Sequence, residues 1–102
     1  MTYREIFDHL ADLIERLDLA PRYVTVSAHT PPGPGADRRY TVLLLVSARE
    51  LSRVSRHLGE KIEQIHDESN PGHGWLHVKR AEPWGLIEFT HTPPAGLSVV
   101  TA

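Results

Sequence analysis

The stretch HDESNPGHGWLH, residues 66–77, holds the densest group of chemically able side chains in the chain. Histidine supplies seven of the 102 residues, and His66, His73 and His77 all fall within it. His, Asp and Glu are ligands for zinc and other first-row metals. A helix end followed by a loop and a strand would bring His66, His73 and His77 together as a metal site. Asp67 or Glu68 beside His73 would make an acid–base pair, with Ser69 as a nucleophile. The spacing fits no HExxH signature, and no nucleophile elbow surrounds Ser69. The plainer reading is a set of solvated loop histidines, with His66 at the negative end of a helix. On that reading there is no catalytic residue and no cofactor.

HTPP occurs twice, at His29–Pro32 and His91–Pro94, each time closing an alternating apolar stretch. Proline cannot donate to a strand ladder and biases the residue before it toward extended geometry. Thr-Pro-Pro is therefore first a way to end a strand. The neighbouring PPGPG has glycines but no phosphate-loop Lys followed by Ser or Thr, so it is no nucleotide cradle. A short polyproline segment can dock an aromatic groove, but a hairpin spacer is the simpler role.

The positions of these groups depend on the elements around them. A chain of 102 residues is expected to form one domain, here residues 1–95, with residues 96–102 as a tail or short fifth strand. Thirteen acids against eleven bases give a net charge of −2, and no basic block stands out. Nonspecific nucleic-acid binding would call for one. There is no cysteine, which excludes disulfides and thiolate chemistry. No apolar run approaches the roughly 18 residues of a membrane span. The start MTYREIF lacks the basic and apolar blocks of a secretion signal. A cytoplasmic location is the corresponding expectation.

Thr2 and Glu5 have the spacing of a capping box. Tyr3, Ile6, Phe7, Leu10, Leu13, Ile14 and Leu17 then recur at three- and four-residue steps, which predicts a helix ending near Asp18. RYVTVSAH alternates as a strand with one half-wet face. TPPGPGADRR is a loop. YTVLLLVS is apolar on both sides and belongs in the middle of a sheet. Ser47 and Glu50 repeat the capping spacing, and Leu51, Val54, Leu58, Ile62 and Ile65 predict a second helix. Gly59 would then lie inside that helix, at about 1 kcal/mol against alanine. GWLHVKR and WGLIEFTH are the remaining strands, joined by a turn at Ala81-Glu82-Pro83.

The expected fold is α+β, a two-layer sandwich of order αββαββ. Two helices lie on one face of a four-stranded, largely antiparallel sheet. Cutting a ferredoxin-like βαββαβ fold after its first strand, and moving that strand to the end, gives the same order. The last strand would then lie beside YTVLLLVS, and the two C-terminal strands would pair. A plain meander under two helices is the alternative.

Two helices cover one face only. Alternation assigns Tyr23, Thr25, Ser27, Leu43, Leu45, Trp75, His77, Lys79, Leu86, Glu88 and Thr90 to the other. For the second strand the opposite parity, with Val42, Leu44 and Val46 outward, is equally compatible. Either way leucines or valines face outward, and contiguous exposed apolar surface marks an interface. Tyr23, Thr25, Leu43, Leu45, Trp75, His77 and Leu86 are the candidate interface residues. The expected function is a noncatalytic interaction protein, such as an adaptor, inhibitor or small assembly component. It acts through the open face as a homodimer or with another protein. The alternatives are a His-dependent metalloprotein or small hydrolase using residues 66–77, and single-stranded nucleic-acid binding by stacking on the sheet face.

Overall fold

The computed structural model describes residues 1–69 and 74–92. Within them the elements are α1 (Tyr3–Leu17), β1 (Tyr23–His29), β2 (Arg39–Leu45), α2 (Ala48–Leu58), β3 (Glu63–His66), β4 (Gly74–Glu82) and β5 (Gly85–His91). The strands form one sheet of order β1-β2-β5-β4-β3. β2 and β5 run parallel, and the other three pairs are antiparallel. The protein is thus an α+β domain with a mixed five-stranded sheet packed against two helices, and the expected four-stranded count is corrected.

The added strand comes from the segment expected to finish the second helix. α2 stops at Leu58, and Gly59 takes a left-handed conformation at φ 67°. A left-handed residue closes the last helical turn, and glycine adopts that conformation without a Cβ clash. Nothing lies within 4 Å of where a Cβ at Gly59 would be, so its role is conformational rather than close packing. Ile62 then packs against the core from the loop, while Ile65 sits in β3 opposite Trp75.

Both helix starts are as the spacing predicts. Thr2 with Glu5, and Ser47 with Glu50, form reciprocal capping boxes. α1 ends at Asp18, whose amide donates to the carbonyls of Glu15 and Ile14. The apolar stripe of α1 is narrower than expected. Ile6, Leu10, Leu13 and Leu17 are buried, but Tyr3 and Phe7 are exposed. The Tyr3 ring edges onto Tyr40 with centroids 5.2 Å apart. Tyr40 is itself buried, and its hydroxyl donates to the Met1 carbonyl at 2.9 Å.

Two side chains of α2 fasten the end of α1. Arg53 donates from Nη1 to the carbonyls of Leu17 and Asp18, at 2.8 and 2.7 Å. These are among the carbonyls that a helix end leaves without partners. Glu50 accepts from the Ala20 amide with one oxygen and from the Ser47 amide with the other. Burial alone would raise the Glu50 carboxyl's pKa. The Ala20 and Ser47 amides, the Ser47 hydroxyl and nearby Arg53 outweigh burial and hold it below the usual carboxylate value.

The core lies between the helices and one face of the sheet. Ile6, Leu10, Leu13 and Leu17 from α1 and Leu51 and Val54 from α2 meet Tyr40, Val42, Leu44, Val78, Ile87 and Phe89. The β4–β5 connection is tighter than expected. Glu82 pairs with Gly85, so Pro83 and Trp84 form the turn rather than Ala81-Glu82-Pro83.

Candidate functional site

The strand register sorts every residue of the sheet onto one of two faces. Across the strands, Tyr23, Leu45, Thr90, His77 and Glu63 form one row. Thr25, Leu43, Glu88 and Lys79 form the next, and Ser27, Thr41, Leu86 and Ala81 the third. Trp75, beside Ile65, extends the same face toward the β3 edge. The seven candidate interface residues, Tyr23, Thr25, Leu43, Leu45, Trp75, His77 and Leu86, therefore share one face, opposite the core.

The second strand fixes which face is covered. Val42 and Leu44 are fully buried beneath the helices, and Val46 just beyond the strand is nearly so. Leu43 and Leu45 are half-buried on the other side. With half-buried Leu86 and exposed Tyr23 they form an apolar strip across β1, β2 and β5. Neither helix packs on this strip.

Its two ends differ in chemistry. On the β1 side the strip meets Tyr23, Thr25 and Ser27, all exposed. On the β3 side it meets a polar ladder. His77 Nδ1 lies 3.0 Å from Glu88 Oε1, and Nε2 lies 3.5 Å from Glu63 Oε2. His77 is only 5% exposed. Its Nδ1 contact joins β4 to β5, whereas its buried Nε2 has no hydrogen-bond partner among the described residues, and the side chain presents little surface of its own. Thr90 beside it is also buried, and its hydroxyl has no partner among the described residues. Glu63 and Ile65 were invisible to sequence reasoning as members of this face, because their segment reads as helix. Gly59 followed by polar Glu60 and Lys61 was the available stop signal.

Among the described residues the histidine-rich stretch does not converge. Glu63 and His77 share the open face, and alternation puts His66 on the opposite one. His66 and His77 therefore project from opposite faces of the sheet, and His73 lies outside the described residues. Among the described residues no group of three His, Asp or Glu side chains is placed to hold a metal. The Ser69 hydroxyl donates to Asp67 Oδ1 at 2.7 Å, and the Ser69 amide donates to the same oxygen. That closes a local Asx turn and leaves the hydroxyl engaged rather than free for attack.

The two HTPP motifs also separate. β1 is antiparallel to β2, and β2 is parallel to β5, so His29 and His91 end their strands at opposite ends of the sheet. His91 has a structural partner. Its Nδ1 lies 3.1 Å from the Val46 carbonyl, which can only accept, so Nδ1 carries the proton. The second Pro-Pro pair and the GLSVV tail lie outside the described residues.

Comparison with protein-family models, curated proteins and solved structures finds no match for this chain. No helix among the described residues is long and apolar enough to cross a membrane.

Proposed function

We propose that the protein is a noncatalytic interaction module that works through the open face of its sheet, with a second copy of itself as the first partner. One observation carries this reading. Leu43 and Leu45 on β2, with Leu86 diagonal to Leu43 on β5, form a strip on the face that neither helix covers. Burying such a strip contributes about 25 cal/mol per Å² of apolar area, from which the cost of association is subtracted. Tyr23, with its ring exposed, adds an aromatic side chain at one border, and aromatic residues are enriched in interfaces relative to the rest of a protein surface. Light scattering of the purified chain is the test. The expected result is a dimer at micromolar concentration that becomes a monomer in the Leu43→Glu and Leu45→Glu variants. A chain that stays monomeric at all concentrations would remove the self-association reading.

We also read the order β1-β2-β5-β4 as a ferredoxin-like sheet permuted by one strand, with β3 added at the edge. The parallel β2–β5 pair and the β4–β5 hairpin support this. A circular permutant opened between Pro83 and Trp84, with residue 102 linked to Met1, would restore the unpermuted order. Cooperative unfolding of that permutant is the expected result. A permutant that does not fold counts against the reading.

A further inference from the structure

The two edges of the sheet are built differently. β3 is four residues long and carries Glu63, and short edge strands bearing charge resist pairing with another chain. β1, the other edge, is seven residues long and pairs with β2 without a break. From Tyr23 to Ala28 it has no charge, no proline and no glycine. Tyr, Val and Thr make up most of that stretch, and all three suit a strand. Nothing in it discourages the addition of a further strand.

The hydrogen-bond phase shows which groups β1 leaves open. The Tyr40 amide donates to the Trp84 carbonyl, and the Val46 amide to the Thr90 carbonyl. Tyr40, Val42, Leu44 and Val46 thus turn their backbone groups to β5. Thr41, Leu43 and Leu45 turn theirs to β1, onto Ser27, Thr25 and Tyr23. The amides and carbonyls of Val24, Val26 and Ala28 therefore point away from the sheet, and no other element among the described residues takes them up. The side chains of these three residues pack on the core from the helix side, yet stay only half-buried.

β1 is complementary to itself. An antiparallel copy, placed by a two-fold axis at Val26, sets Val26 against Val26, Val24 against Ala28, Thr25 against Ser27 and Tyr23 against His29. Val26 is the middle residue of the strand, so this register overlaps all of it. Every outward amide of one copy then meets an outward carbonyl of the other. Apolar side chains meet on the helix side, hydroxyls meet on the open side, and no like charges are opposed. A two-fold contact requires a surface that matches itself in this way.

We propose that the β1 edge is an interface for a second copy of the chain. The two copies pair antiparallel through β1 into one continuous sheet with all helices on one side. This contact uses the edge rather than the open face, and it is independent of the face reading. Each edge hydrogen bond replaces one to water, and association has its own cost, so the contact is weak, in roughly the millimolar range.

The chain has no cysteine, so introduced cysteines report the register. The test is disulfide formation under mild oxidation at high protein concentration, in the Leu43→Glu background that removes the face contact. Paired Val26 positions would lie about 5.5 Å apart between Cα atoms, within disulfide reach. Two copies of Val24, or of Ala28, would lie about 14 Å apart, beyond it. Val26→Cys should therefore cross-link at least about tenfold faster than Val24→Cys or Ala28→Cys alone. A mixture of the Val24→Cys and Ala28→Cys chains should form the mixed disulfide in preference to either self-linked product. Should Val26→Cys fail to fold, that mixture carries the same prediction. Absence of cross-linking at Val26 in a folded chain overturns the proposal. So do equal rates at the three positions, or a mixture that shows no preference for the mixed product.

Discussion

Adjacent leucines in β2 meet opposite fates. Leu44 is fully buried beneath the helices, whereas Leu43, one residue earlier, is half-buried on the open face. The side chains are the same and the backbone is continuous, so the difference lies in what each face packs against. α1 and α2 give the covered face its aliphatic partners. The open face has only its own neighbours, a strip of leucines at one end and the Glu63–His77–Glu88 ladder at the other. Apolar sequence makes a core only where a second layer exists to receive it.

The contrast can be broken most directly by truncation. Phe89→Ala removes a fully buried ring beneath the helices and should destabilise the fold by about 3–5 kcal/mol in denaturant unfolding. Leu44→Ala should lose about 2–5 kcal/mol, whereas Leu43→Ala, measured on the monomer, should lose no more than about 1 kcal/mol. Equal losses for the two leucines would mean that the faces do not differ as described.

The attachment of the helix layer gives a smaller effect that depends on pH. Glu50→Gln keeps the shape but weakens the hydrogen bonds to Ala20 and Ser47, at about 1–2 kcal/mol near neutral pH. The folded state holds the Glu50 carboxyl below its ordinary value. Its contribution is therefore present above the unfolded-state pKa and is lost as pH falls through the folded-state value. The gap between wild type and variant should narrow on acidification through that window. A gap that stays constant or widens would contradict the assignment. The smallest effect belongs to the open face. Glu63→Ala removes a half-exposed partner of His77 and should change stability by only about 0–1 kcal/mol. A larger loss would make the polar ladder a structural tie comparable to the helix layer.

Much of this was legible in the residues. Both capping boxes follow from Thr2/Glu5 and Ser47/Glu50, because the motif is local and needs only a three-residue spacing. The alternation in β1, β4 and β5 assigned their faces for the same reason. β3 was hidden, because Ile62 and Ile65 continue the helical spacing of Leu51, Val54 and Leu58. A four-residue strand is too short for its own period to be distinguished from a turn of helix. Closeness in sequence carried no information about His66 and His77 standing on opposite faces.

The sequence alone settled the helix starts, the strand alternation and the presence of a strand apolar on both sides, since each rests on contacts within a few residues. The tertiary structure decided which parity of β2 faces the helices and that a fifth strand extends the sheet. Those outcomes depend on pairing between distant segments, and a shift of one residue in register would exchange the two faces.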